Sequence, residues 1–173
     1  MSAADLIGSL TRTIPDFPEA GILFRDLTPV FADGPALHAV TQALVEPYRD
    51  HIDAVAGVEA RGFLLSATAA YELGLGTLLI RKPGKLPGTV LSRSYDLEYG
   101  SATLEVQPAD LPAGSRVLLV DDVLATGGTL AAAAALIEEA GWVVAGISVV
   151  MELDGLSGRD KLPGRDIHTI VKV

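Results

Sequence analysis

Apolar positions along the chain follow two periods. Four short runs are apolar at nearly every position: residues 54–58, 77–80, 116–120 and 143–151. Short runs without polar alternation predict strands buried on both faces of a parallel sheet. Between them lie stretches with helical spacing. Residues 61–73 form one and end at Gly74. Residues 129–140 form another, with Leu130, Ala133, Ile137 and Ala140 in phase, and end at Gly141. A glycine just past the last turn is a common helix stop. Upstream, Asp33-Gly34-Pro35 opens a helix that carries Leu37, Val40 and Leu44 on one face. Asp33 suits the cap and Pro35 the first turn. Alternating strands and helices predict an α/β fold, a mostly parallel sheet flanked by helices on both sides.

Residues 92–98 and 102–107 behave differently. They alternate apolar and polar positions around Tyr99-Gly100-Ser101. The pattern predicts an antiparallel hairpin with one wet face, inserted in the otherwise parallel sheet. Such an insertion serves as a lid or arm, or is an edge hairpin with no active role.

Composition narrows the class. At 173 residues the chain has the length of one domain. Apolar residues make up 49% and charged residues 20%, which excludes a disordered polyelectrolyte. A net charge of −9 disfavours general binding to nucleic acid or anionic lipid. With no cysteine there is no disulfide framework, thiolate metal site or cysteine nucleophile. The scattered His38, His51 and His168 suit helix surfaces or strand edges better than a metal cluster. Trp142 suits the core or a subunit contact, and Tyr48 and Tyr71 suit packing positions with a polar tip. The first residues lack the basic-then-apolar pattern of a secretory signal. The longest uncharged run, residues 123–137, contains Gly127 and Gly128 and is too short to span a bilayer. A soluble cytoplasmic protein, with neither nucleic acid nor membrane as partner, is expected.

The most informative string runs over residues 117–129, Val-Leu-Leu-Val-Asp121-Asp122-Val-Leu-Ala125-Thr126-Gly127-Gly128-Thr129. A buried strand ends in two carboxylates, a small Gly-rich turn follows, and a helix opens near Thr129. Ligands of open α/β sheets bind beyond the carboxyl ends of strands. Unpaired N–H groups at a helix start suit phosphate, and small residues let the oxygens approach. Two aspartates repel phosphate and need another partner. Ribose hydroxyls are one, because an ionised carboxylate only accepts hydrogen bonds. A hydrated Mg2+ is the other. The string reads as a cradle for a ribose 5-phosphate. It is neither a Walker A loop nor a dinucleotide fingerprint, since both glycine patterns are absent.

Charge also reverses locally. From Leu73 to Tyr95 there is no Asp or Glu, while Arg81, Lys82, Lys85 and Arg93 lie within. Residues 82–88 are rich in Pro and Gly. A basic loop near a phosphate cradle suits capture of a second, larger anion such as pyrophosphate; pairing with acidic surface is the alternative. Arg61 follows the strand at 54–58. It offers a bidentate grip on phosphate, or a salt bridge to Glu59.

These segments together resemble the type I phosphoribosyltransferase family, and within it the branch that uses adenine. Residues 117–129 resemble the family's motif for phosphoribosyl pyrophosphate (PRPP). Residues 17–26 resemble its base-recognition segment, Glu59-Ala60-Arg61-Gly62-Phe63 its pyrophosphate loop, and residues 81–87 with 94–100 its flexible loop. Ala60 departs from the many members with Ser there. The resemblance implies the family fold: a small N-terminal hood over about residues 1–33, and a flexible loop and hairpin over about residues 82–107. It implies transfer of 5-phosphoribose from PRPP to N9 of adenine, giving AMP and pyrophosphate. Asp121 and Asp122 would hold ribose hydroxyls, and Ala125, Thr126, Gly127, Gly128 and Thr129 the 5-phosphate. Arg61, Lys82 and Lys85 would contact pyrophosphate. Backbone groups of Leu23 and Arg25 would read adenine, with Phe24 and Leu153 packing on it. Glu98 matches the family's catalytic carboxylate, with Tyr99 beside it. Mg2+ would arrive mainly on PRPP, with Asp121 or Asp122 as candidate ligands, and the chain would act as a homodimer. A 6-oxopurine transferase and a non-catalytic PRPP-sensing regulator are the competing readings.

Overall fold

The structure is a computed structural model that describes residues 1–97 and 100–173. The chain starts with helix α1 (Ala3–Leu10), hairpin strands β1 (Arg12–Pro15) and β2 (Leu23–Asp26), and helices α2 (Thr28–Ala32) and α3 (Gly34–Val45). Strand β3 (Ala54–Val58), helix α4 (Arg61–Leu73) and strand β4 (Gly76–Ile80) follow. A second hairpin, β5 (Leu91–Asp96) and β6 (Ser101–Val106), precedes β7 (Arg116–Leu124), α5 (Gly128–Glu139), β8 (Val143–Glu152) and β9 (Ile167–Lys172).

The local signals act as their chemistry requires. Asp33 caps α3 by accepting the N–H of Ala36 at 2.8 Å, and Pro35 sits in the first turn. Gly74 takes the left-handed conformation that ends α4.

The main sheet has the order β4-β3-β7-β8-β9, and every neighbouring pair is parallel. Successive residues of β7 serve opposite faces. Val117 and Leu119 pack towards α5, and Leu118 and Val120 towards α3 and α4. That double burial, worth about 1.5–3 kcal/mol per large side chain, is why this strand lacks polar alternation.

Several expectations need correction. Residues 77–80 are not buried on both faces: β4 is an edge strand, with Thr77 and Leu79 exposed and only Leu78 and Ile80 in the core. The strand carrying the aspartates does not end at them but runs on to Leu124, because β8 is long enough to pair with it up to Leu124 opposite Glu152. The second hairpin is not part of the main sheet. It forms its own two-stranded sheet, tied to the residue just after β4 by the isolated bridge between Arg81 and Glu105. It packs on α5 instead, through Tyr95, Leu104 and Val106. Strand β9 has no counterpart in the apolar pattern, since Ile167–Lys172 mixes His, Thr and Lys into an edge strand half open to solvent. Tyr71 is no packing residue: it lies 89% exposed on α4. Tyr48 is buried, and Trp142 is a core residue whose indole N–H donates to the Leu111 carbonyl at 3.1 Å. Among the described residues no helix is long and apolar enough to cross a membrane.

Candidate active site

Strand β7 and helix α5 enclose the first element of the site. A cavity of about 90 Å³ is lined by Asp121, Val123, Leu124, Ala125, Thr126, Gly127, Gly128, Thr129 and Leu130. Gly127 stands just before α5 with φ +80°, a conformation that L side chains rarely adopt. The kink brings the amino end of α5, with its unpaired N–H groups and partial positive charge, against the cavity. The structure therefore places all five residues expected at a phosphate around one hollow. The Thr129 hydroxyl donates to the Tyr95 oxygen at 3.2 Å, so the second hairpin lies directly over this helix start.

The two aspartates diverge. Asp121 lines the cavity, and its Oδ1 accepts the N–H of Asp122 at 3.0 Å. Burial and the neighbouring Asp122 charge push its carboxyl well above the usual carboxylate range. Asp122 is buried and also raised, by burial, against the opposing pull of Arg61. Arg61 lies at the first position of α4, and its Nε is 2.7 Å from Asp122 Oδ2. The contact is ionic but poorly aligned, which leaves that buried oxygen without a hydrogen bond. The salt bridge weighed for Arg61 thus goes to Asp122 across the sheet, not to Glu59.

Glu59 has other partners. Its carboxylate lies 3.4 Å from Arg81 Nη2 and 3.6 Å from Lys85 Nζ, and it accepts the backbone N–H of Lys82. Burial opposes its charge, but the Lys82 N–H and the Lys85 and Arg81 cations hold the carboxyl below its ordinary range. The basic island is therefore tied to the turn that carries Arg61. Lys82 and Lys85 stay exposed and do not line the phosphate cavity. Arg93 pairs with Glu139 on α5.

The β1–β2 hairpin forms a sheet of its own, so the outer edge of β2 has no strand partner among the described residues. Pro15, which has no N–H, stands opposite Leu23, and the Ile22 carbonyl accepts the N–H of Phe17. By strand alternation, the N–H and C=O groups of Leu23 and Arg25 point away from β1. Phe24 meets Phe17 edge-to-face with centroids 5.0 Å apart. The Arg25 guanidinium donates to Thr13 Oγ1 at 2.6 Å. Leu153 follows β8, its N–H bonded to the Leu124 carbonyl at 3.0 Å, which ties it to the end of the strand bearing the aspartates. Glu98 and Tyr99 lie outside the described residues.

Comparison with known proteins supplies what geometry alone does not. The profile of the phosphoribosyl transferase domain matches residues 32–168. The chain belongs to the phosphoribosyltransferase family. An adenine phosphoribosyltransferase of Clavibacter michiganensis is 63% identical over 98% of this chain and 96% of its own length. The structure of an adenine phosphoribosyltransferase from Thermoanaerobacter pseudethanolicus superposes with a TM-score of 0.94 at 45% identity, covering 98% of this chain and 99% of that one. A Saccharomyces cerevisiae adenine phosphoribosyltransferase, complexed with adenine and an imino-altritol bisphosphate, has a TM-score of 0.92 at 40% identity and covers 98% of both chains.

Two groups near the phosphate cavity of this family member carry no signal in the sequence pattern. One is Lys161, whose Nζ comes within 3.8 Å of where a side chain on Gly128 would begin, and which makes no ion pair among the described residues. The other is the Glu152–Arg159 pair. Lys161 and Arg159 come from the segment between β8 and β9, which has no periodicity to flag it.

Proposed function

We infer that the chain transfers the 5-phosphoribosyl group of PRPP to N9 of adenine, forming AMP and releasing pyrophosphate. The carrying observation is the hollow between Asp121 and Thr129, an amide-lined helix start beside paired carboxylates, in a chain 63% identical to an adenine phosphoribosyltransferase. A helix start binds a phosphate dianion, and carboxylates beside it accept hydrogen bonds from sugar hydroxyls. The two occur together because PRPP carries both groups.

In the reaction the bond from C1 of the ribose to pyrophosphate breaks and the bond from C1 to adenine N9 forms. Charge grows on the leaving pyrophosphate. Arg61 would meet it, since a guanidinium has five N–H donors and its side chain, though paired to Asp122 through Nε, is 44% exposed. Lys82 and Lys85 would close from the basic loop. Lys85 is about half exposed and its contact with Glu59 is long, so exchanging that partner for pyrophosphate costs little. The free edge of Leu23 and Arg25 reads the adenine rim, with Phe24 and Leu153 supplying apolar contact. A backbone C=O that accepts from the 6-amino group of adenine meets another acceptor in a 6-oxopurine, leaving both unpaired. Glu98 is assigned the proton that leaves the adenine ring, help worth about 10²–10⁴-fold.

Two neighbouring carboxylates suit Mg2+, which takes one or two carboxylates plus substrate phosphate oxygens; Asp121 lines the cavity, and Asp122 Oδ2 would have to exchange its contact with Arg61. Bound there, Mg2+ would neutralise charge on the pyrophosphate, with Asp121 or Asp122 as its protein ligand. A homodimer and a cytoplasmic setting belong to the same proposal, and sedimentation and cell fractionation test them. The deciding experiment is pyrophosphate release with PRPP and Mg2+ across adenine, hypoxanthine, guanine and xanthine. Release with adenine alone is expected. No release with any base overturns the assignment, and preference for a 6-oxopurine replaces it.

A further inference from the structure

The segment between β8 and β9 folds back over the phosphate loop, and its closeness there leaves no room for side chains. A Cβ on Gly158 would lie 2.2 Å from the Ala125 carbonyl oxygen, and a Cβ on Gly127 would lie 2.2 Å from the Gly158 carbonyl oxygen. The two backbones thus touch directly, and the loop's shape depends on where Gly158 is held.

The next residue does the holding. Arg159 Nε and Nη2 each lie 2.8 Å from a different oxygen of Glu152, a fork-to-fork pair. Arg159 Nη2 also donates to Thr169 Oγ1 at 3.1 Å, and Nη1 donates to the Ile167 carbonyl at 3.2 Å. The Thr169 hydroxyl in turn donates to Glu152 at 3.0 Å, and Lys172 Nζ is 3.4 Å away. Glu152 is only 6% exposed. Its hydrogen bonds to Arg159 pull the carboxyl down to about 2, so the pair stays ionised through any assay range. Polar contacts from two strands thus converge one residue from Gly158. None touches the phosphate cavity itself.

We propose that Arg159 is a positioning residue for phosphate binding: clamped by Glu152 and Thr169, it presses the Gly158 backbone against Ala125 and Gly127 and so sets the shape of the pocket for the 5-phosphate. The proposal rests on the reading of that loop as the phosphate site. It does not extend to the base: the Leu153 N–H bonds the Leu124 carbonyl and takes no part in the contacts of Arg159.

The test separates the two ends of the active site. Ribose 5-phosphate binding is measured by calorimetry, and KM for PRPP and for adenine by steady-state kinetics, on the full chain. Arg159→Met is expected to weaken ribose 5-phosphate binding and raise KM for PRPP by about tenfold, with KM for adenine within twofold of wild type. Arg159→Lys keeps the charge but loses the fork, and restores part of the affinity. Gly158→Ala leaves the ion pair intact and pushes a methyl at the Ala125 carbonyl, so it reproduces the PRPP defect in a chain whose clamp is whole. Folded Arg159→Met or Gly158→Ala that binds ribose 5-phosphate like wild type overturns the proposal, as does equal loss for PRPP and adenine. Should Arg159→Met not fold, Gly158→Ala decides between these outcomes. If the wild-type chain itself binds no ribose 5-phosphate, the reading of the loop falls first.

Discussion

Asp121→Asn should make this protein more stable and less active at the same time. The side chain keeps its shape, and an amide oxygen can still accept the Asp122 N–H that Oδ1 accepts now. What disappears is a buried negative charge beside another. As a general scale, two unit charges about 4 Å apart at an effective dielectric near 20 repel by about 4 kcal/mol, and less when farther apart. Arg61, at 2.7 Å from Asp122, offsets part of that, leaving about 1–2 kcal/mol to be recovered. A chain of 173 residues unfolds with about 0.36 kcal/mol/K of entropy, so 1 kcal/mol moves the midpoint by about 3 °C. Differential scanning calorimetry at pH 7 should therefore show Tm higher by about 3–6 °C. The sign with pH follows from the direction of the shift. A carboxyl whose folded pKa is raised favours folding while protonated and loses that advantage as pH rises through the folded value. The gap between variant and wild type should thus open with rising pH above the ordinary carboxylate range and close below it. Turnover should fall by about 10- to 100-fold, the loss of a charged acceptor for a ribose hydroxyl. Asp122→Asn removes the partner of Arg61 and should give no such gain. A lower or unchanged Tm for Asp121→Asn, or a gap that ignores pH, refutes the reasoning.

Other outcomes are as concrete. Lys85→Ala should weaken PRPP turnover far more than adenine binding; equal losses in a two-substrate kinetic analysis contradict the role of the basic loop. Tyr95→Phe frees the Thr129 hydroxyl from its 3.2 Å bond, worth about 1 kcal/mol, so KM for PRPP should fall by about fivefold. A rise instead would place the Tyr95 hydroxyl on the phosphate. The Glu152 carboxyl is depressed to about 2 from 4.5, which is stability present above pH 4.5 and lost as pH falls towards 2, about 3 kcal/mol in all. Urea unfolding across that range should show the advantage of wild type over Glu152→Gln shrink as pH drops. A constant difference would rule the linkage out.

The sequence by itself determined the α/β class, the caps of α3 and α4, the presence of strands β3, β4, β7 and β8, and the phosphate-loop string, because each is a local pattern. A doubly buried strand must be apolar throughout, and a helix start that faces phosphate must be small and rich in glycine. The family resemblance points to backbone groups of Leu23 and Arg25, but the register that turns them away from β1 appears only in the strand pairing. Contacts between distant segments were beyond reach of any local pattern. Arg61 meets Asp122 rather than Glu59 because parallel neighbours β3 and β7 bring their carboxyl ends side by side. The basic island gathers on Glu59, and the second hairpin leaves the main sheet for α5, because packing of whole elements decides those partners. The Glu152–Arg159 clamp and the Gly158–Gly127 contact join residues whose spacing carries no periodicity. Local chemistry sets what each segment can be, and burial across the sheet sets which segments meet.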